Sequence, residues 1–211
     1  MIETEPQARA FVAERCNSRA LDQLDRLVEE LKVENGRQNL VSARSLEQVW
    51  VRHIADSAQL LDHVPRGTGL WLDLGSGAGF PGLVLAIMEP NCEMILVELR
   101  KRRIEWLEDM AGKLDLTNCS IAGMRLEQMK VQPVRVITAR AFAPLEKLLS
   151  LSARFSTADT HWLLPKGRSG GVELQNLAPN WREMFHVEQS QTDAEAVILV
   201  GQGAIKGKGT S

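Results

Sequence analysis

Trp71-Leu72-Asp73-Leu74-Gly75-Ser76-Gly77-Ala78-Gly79-Phe80-Pro81-Gly82 is the stretch that decides the fold. An apolar run carrying one acid, Asp73, passes into a glycine-rich turn, and Pro81 stands near the start of the helical run Leu83 to Met88. Glycine allows a sharp turn at the edge of an α/β sheet and lets a ligand approach closer than any Cβ permits. The expected occupant is therefore a nucleotide-like cofactor, ahead of a purely structural turn.

Two cofactor classes compete for this loop. Gly77 to Gly82 also satisfies the GxGxxG of dinucleotide sites, a weak signal when it stands alone. In those sites the strand runs straight into the first glycine. Here Asp73 interrupts it two residues before Gly75, the apolar-Asp-apolar-GxGxG form of S-adenosyl-L-methionine (SAM) methyltransferases. Glu98 closes the next apolar run, Met94 to Val97, 16 residues after Gly82. Either nucleotide fold puts a ribose-binding carboxylate there. Glu98 is equally suited to capping the basic helix that follows. Arg100-Lys101-Arg102-Arg103 reads as a solvated helix face or as an electrostatic footprint for phosphate.

Outward from the loop, short apolar runs alternate with helical ones: Leu70 to Leu74, Met94 to Val97, Cys119 to Ala122, Val134 to Ala139, Trp162 to Leu164, Phe185 to Val187 and Ala196 to Val200. This βα alternation predicts an α/β fold with a mostly parallel seven-stranded sheet covered by helices on both faces. Residues 1–63 instead read as a helical extension packed on a core of residues 64–205, with 206–211 as a flexible tail. Thr4-Glu5-Pro6-Gln7 offers a capping box. Ser18 opens a second helix, with Leu21, Leu24, Leu27, Val28 and Leu31 on one face and Asn35-Gly36 as its stop. Ser45-Leu46-Glu47-Gln48 opens a third, whose stripe runs through Val49, Trp50, His53, Ile54, Ser57, Leu60 and Leu61.

With 44% hydrophobic and 25% charged residues, the 211-residue chain has the balance of a globular protein. Its longest aliphatic run, six residues, is far short of the ~20 that cross a bilayer. The acidic start Met1-Ile2-Glu3-Thr4-Glu5 lacks the basic and apolar regions of a targeting signal, so a cytoplasmic location and no membrane partner are expected. Cys16, Cys92 and Cys119 form neither a disulfide framework nor a zinc pattern, and all three are expected as small buried hydrophobes. The net charge of −2 hides an asymmetry. Residues 100–168 hold thirteen cations against seven anions, while the rest of the chain is acidic.

After the fourth apolar run comes Ala139-Arg140-Ala141-Phe142-Ala143-Pro144, not the Asp/Asn-Pro-Pro-aromatic tetrapeptide that holds an exocyclic amine, and no cysteine follows a proline here to attack a pyrimidine ring. An acceptor needing neither device remains. A guanine N7 fits, because its lone pair is nucleophilic without loss of a proton, and in-line transfer to it needs alignment and no metal.

Asn39-Leu40-Val41-Ser42, Arg52-His53-Ile54-Ala55-Asp56-Ser57, the glycine stretch, Thr138-Ala139-Arg140-Ala141-Phe142-Ala143-Pro144-Leu145 and Pro165-Lys166-Gly167 together resemble the RNA small-subunit methyltransferase G family, also called GidB. The resemblance implies a Rossmann-like class I SAM-dependent methyltransferase acting on N7 of guanosine 527, in the 530 loop of bacterial 16S ribosomal RNA. It implies Gly75, Gly77, Gly79 and Phe80 on the cofactor loop with Asp73, Glu98 at the ribose, Leu126 and Glu127 beside the adenine, and Arg140 at the methionine end or the mouth. Leu126 as plain core and Glu127 as a helix-start acid are the competing assignments. Arg140 and Lys166 are candidates for aligning the reactants, Lys166 alternatively lying over Trp162. Arg100, Arg102, Arg103, Phe142, Lys166 and Arg168 are candidate RNA contacts, with Phe80 or Phe142 available to stack the base. His53 and Asp56 are expected as supports or RNA-side elements. The expected partner is 16S rRNA in the 30S subunit or an assembly intermediate, met by a monomer. Asp193-Ala194-Glu195-Ala196-Val197 departs from the family, in which an Arg-His pair often stands before the last strand. A dinucleotide-dependent oxidoreductase, a non-catalytic RNA-binding module and a small-molecule methyltransferase remain the rivals.

Overall fold

The computed structural model describes residues 1–67 and 69–206. The flexible tail expected over 206–211 therefore lies, Lys206 aside, outside the described residues.

The chain begins with α1 (Glu5–Ala13), opened by the expected capping box: Thr4 Oγ1 accepts from Gln7 N, and Gln7 Oε1 accepts from Thr4 N at 3.2 Å. Helix α2 (Ser18–Gln38) is capped by Asn17, whose Oδ1 accepts from Ala20 N at 2.9 Å. It runs through Asn35-Gly36 and does not stop there. The end is set three residues later, where Asn39 turns left-handed (φ 35) and Asn35 Oδ1 takes the Val41 N–H at 2.8 Å. One helical glycine costs only about 1 kcal/mol, too little to break a helix whose other face is buried.

The next segment also departs from expectation. Ser42, not Ser45, caps the short α3 (Ala43–Glu47). A π-helix over Trp50–Ala55 follows, then α4 (Asp56–Ala58) and a 3₁₀ turn, Gln59–His63. The restart at Trp50 has a tertiary cause: the Glu5 carboxylate of α1 accepts from Trp50 N at 3.1 Å and Val51 N at 3.0 Å. It satisfies two N–H groups that an isolated helix start leaves open.

Then come β1 (Leu70–Leu74), α5 (Gly82–Met88), β2 (Glu93–Val97), α6 (Lys101–Lys113), β3 (Cys119–Ala122), β4 (Val136–Ala139), α7 (Leu145–Ser152), β5 (His161–Lys166), α8 (Gly170–Gln175), α9 (Pro179–Arg182), β6 (Phe185–Gln189) and β7 (Val197–Gln202). The sheet order is β3-β2-β1-β4-β5-β7-β6, all parallel except β7, which is antiparallel to both neighbours. Strand alternation assigns side chains to two cores. Trp71, Met94, Leu96, Val136, Leu163 and Ile198 pack with α1, α2, α5 and α6. Leu72, Leu74, Ile137, Trp162 and Leu199 pack with α7, α8 and α9. Cys92 is buried as expected, but Cys16 and Cys119 are only half-buried. No helix among the described residues is long and apolar enough to cross a membrane. The order reverses at β1, with β2 on one side and β4 on the other, and such a switch point opens a crevice at the strands' carboxyl ends.

Candidate active site

The glycine loop leaves β1 at that crevice. Gly75 N and Ser76 N both donate to Val97 O at the end of β2, at 2.9 and 3.1 Å, and Trp106 Nε1 of α6 holds Ala78 O at 3.0 Å. Gly75 has φ 68, and a Cβ there would meet the Phe142 ring at 2.7 Å. Gly79 has φ 100, and its Cβ would fall 2.3 Å from Leu83 Cδ1. The loop is thus a cradle that Cβ atoms would fill.

Beneath it, Asp73 is fully buried. Register pairs it with Thr138 of β4, whose hydroxyl donates to Asp73 Oδ1 at 2.9 Å. Asp73 Oδ2 lies against Gly82 without a well-formed hydrogen bond. Burial pushes the Asp73 carboxyl above its ordinary range, while the Ser76 and Thr138 hydroxyls and the Arg140 charge pull the other way.

Glu98 stands one residue past β2. Its Oε2 accepts from Gly77 N at 3.0 Å, and its Oε1 accepts from Leu99 N at 2.7 Å and Arg100 N at 2.9 Å. It therefore ties the glycine loop to the segment leading into α6, but its bonds stop at Leu99 and Arg100, short of α6 itself, so it does not cap that helix as the alternative assignment expected. Leu126 follows β3 in the 3₁₀ turn Leu126–Gln128 and is buried against the second core, while Glu127 beside it is exposed.

Arg140 stands one residue past β4. Its Nη1 meets Asp56 Oδ2 at 3.1 Å and the Arg52 carbonyl at 3.2 Å, its Nη2 lies 3.0 Å from His53 Nδ1, and its carbon sits 5.4 Å from the Phe80 ring centroid. His53 in turn stacks on Phe80, with centroids 4.8 Å apart and planes at 18°. Burial, with the charges of Arg140 and Arg52, lowers the His53 pKa to about 3, so its ring is neutral at physiological pH. Phe80 is thereby engaged and only 3% exposed; it is not free to stack a base, because the histidine covers it.

A cavity of about 650 Å³ opens beside this cluster, with Arg52, Asp56, Arg140, Phe142 and Lys166 among its walls. Lys166 ends β5 and does not lie over Trp162. It turns to Glu173 Oε2 of α8 at 2.9 Å, and the same oxygen accepts from Leu145 N, also at 2.9 Å. Burial alone would raise the Glu173 pKa; hydrogen bonds from Lys166, Ser169 and the Leu145 N–H bring it below the ordinary value. Arg168 is 78% exposed on its side chain and pairs with Glu195 at 2.7 Å, and Arg52 pairs with Asp193 at 2.7 Å. Asp193 and Glu195 thus each pair with a cation, and of these two pairs Arg52–Asp193 lines the cavity.

Arg100, Arg102 and Arg103 are not at this cavity. They wall a separate groove of about 550 Å³ with Arg37 and Lys101, where the start of α6 meets the end of α2. Arg102 Nη2 holds Arg37 O at 3.0 Å, and Arg103 leans toward Glu98. The partners that the sequence reading missed are Asp56 and His53 on Arg140 and Glu173 on Lys166.

The geometry is a nucleotide cradle, a carboxylate and a clamped guanidinium around one switch point, open to a polar cavity. A family profile described as rRNA small subunit methyltransferase G matches residues 20–197. A protein of Erythrobacter litoralis named ribosomal RNA small subunit methyltransferase G is 63% identical over 98% of this chain and 100% of its own. Among solved structures, a SAM-dependent methyltransferase from Aquifex aeolicus superposes with TM-score 0.56 at 13% identity, covering 84% of this chain and 98% of its own. The 16S rRNA methyltransferase KamB superposes with TM-score 0.52 at 16% identity, covering 70% of this chain and 92% of its own. These two likenesses carry the fold, a Rossmann-like class I methyltransferase core, and the sequence matches carry the kinship: the chain belongs to the rRNA small subunit methyltransferase G family.

Proposed function

We propose that this chain transfers a methyl group from S-adenosyl-L-methionine to N7 of a guanosine in 16S rRNA, guanosine 527 of the 530 loop. The observation that carries the reading is the meeting of the glycine cradle, Glu98 and Arg140 at the β1–β4 switch point. The donor set fits this cofactor. The Arg140 guanidinium suits its carboxylate, the Glu98 carboxylate suits its ribose hydroxyls, and the Leu126–Gln128 turn suits the adenine edge. When bound, the cofactor supplies an electrophilic methyl group on a sulfonium.

Everything else falls to the chain. The loop and Glu98 hold the nucleoside, Arg140 holds the amino-acid end at the cavity mouth, and the cavity receives the base. Guanine N7 attacks with its own lone pair, so the residues orient two reactants and exclude water, and no proton is removed before attack. Lys166 and Phe142 border the acceptor side, with Arg168 just beyond on the same loop, and the Arg37–Arg100–Arg102–Arg103 groove supplies a second cationic surface for phosphates. The helical residues 1–63 act as an extension of the 64–205 core. The 30S subunit or its assembly intermediate is the substrate, a monomer is the acting form and the cytoplasm is the compartment. Family membership leaves the oxidoreductase rival without support.

Calorimetric titration with SAM and, separately, NADPH tests the cofactor. A single SAM site and no NADPH binding are expected; NADPH binding without SAM binding would refute the proposed activity.

A further inference from the structure

One buried group in this site has no assignment. His53 is 7% exposed and lies in the π-helix Trp50–Ala55, a geometry that recurs at functional sites. The Arg52 carbonyl and the Asp56 carboxylate take Arg140 Nη1, while His53 Nδ1 takes Nη2, so three groups from one short stretch grip one guanidinium. A guanidinium carries donors only. Nδ1 must therefore offer its lone pair, and the ring proton resides on Nε2. That Nε2 is buried and has no hydrogen-bond partner among the described residues.

A buried N–H without an acceptor is costly and calls for an explanation. Packing supplies one. The ring lies flat on Phe80 of the glycine loop, His53 is one of the residues that wall the cavity, and a guanidinium holds its Nδ1 edge. The partner suited to this place is an anionic oxygen. Asp56 already pairs with Arg140, so a neutral donor adds affinity for that oxygen without adding a second charge to the pocket.

We propose that His53 works from both edges: Nδ1 positions Arg140, and Nε2–H is the donor for the carboxylate end of the cofactor. The inference rests on the reading of the glycine loop as a SAM site. It predicts that the two edges separate by substitution. His53→Asn keeps an acceptor where Nδ1 stands and loses the Nε2 donor. His53→Gln keeps a donor near Nε2 and loses the Nδ1 acceptor.

The test uses the full chain, titrated by calorimetry with SAM and with its decarboxylated analogue, followed by methyl transfer to 30S subunits. His53→Asn is expected to weaken SAM about tenfold, as for loss of one charge-assisted hydrogen bond, and to leave the analogue's affinity unchanged. His53→Gln is expected to weaken SAM by less than His53→Asn does, since it keeps the donor and only loosens Arg140, and to lose kcat with little change in KM for the subunit. Nitrogen NMR of the parent's imidazoles needs no variant. It should show His53 as the Nε2-protonated tautomer from about pH 5 to pH 8, with Nε2 shifting on addition of SAM but not of the analogue. Equal losses for both ligands in His53→Asn, or no loss, would overturn the proposal. A loss confined to KM for the subunit would also overturn it and put the donor on the base instead. Failure of the parent to bind SAM would refute the cofactor reading, a separate outcome.

Discussion

Arg140 is the side chain on which both halves of the site depend. Its grip comes from residues 84 and 87 positions away, Asp56 and His53, so the arginine was legible in the chain but its partners were not. A cation just past a strand at a ligand edge is a sequence feature; which helix leans on it is decided only when β4 and the π-helix meet. Glu98 and the glycines were legible for the opposite reason, since their roles follow from local spacing and backbone geometry. Phe80 was misassigned because an aromatic ring beside a site reads the same whether free or covered. Arg140→Ala should lower kcat/KM for methyl transfer by about 100-fold or more, on the order of 3 kcal/mol, the cost of removing a charged alignment group while the half-buried Asp56 loses its cation. The check is single-turnover kinetics on 30S subunits. His53 also leaves a signature in stability. Its folded pKa, about 3, lies below the ordinary histidine value of 6.5, so the unfolded chain binds the extra proton first. Between these values the histidine favours the unfolded state increasingly as pH falls, by up to a few kcal/mol. Urea unfolding of the parent and of His53→Asn, followed from pH 7 to about pH 4, should show the parent losing more stability than the variant.

The strands of the sheet emerge from the sequence nearly at their observed bounds, because alternation of apolar runs with helical runs is a local signal and both faces of this sheet are covered. The α3-to-His63 segment does not. Its helix break and restart are imposed by Glu5, a residue 45 positions upstream of Trp50, and no local propensity encodes that contact. Glu5→Ala should therefore destabilise the fold by about 1 to 2 kcal/mol, as for loss of a helix cap, read as a lower urea midpoint with an unchanged slope. The glycine loop carries a sharper prediction. Gly79→Ala places a Cβ into Leu83 at a backbone angle that side chains rarely adopt. It should cost roughly 1 to 3 kcal/mol and abolish SAM binding in a variant that circular dichroism shows to be folded.

Taken as a sum, the charge of this protein is −2, yet eight of its cations line two places, the Arg140–Lys166 cavity and the groove at the start of α6. The excess of positive charge between residues 100 and 168 was readable from the chain; its division between two surfaces was not, because α6 carries its arginines to the end of α2 and away from the mouth. Asp193 and Glu195 occupy Arg52 at the cavity and Arg168 just beyond it, so few cations there are free for phosphate. The dependence of RNA affinity on salt should then be shallow, with a log–log slope no steeper than about −3, given roughly −0.7 per single-strand phosphate neutralised. Fluorescence anisotropy of a labelled 530-loop RNA at graded salt measures it. The most direct measurement of the activity itself is incubation of the purified chain with tritiated SAM and 30S subunits from cells lacking the gene, followed by chemical cleavage at N7-methylguanosine. The account predicts one labelled nucleotide, guanosine 527, modified at N7 with close to one methyl per subunit; binding without incorporation, or label at another nucleotide or another atom of the base, would contradict it.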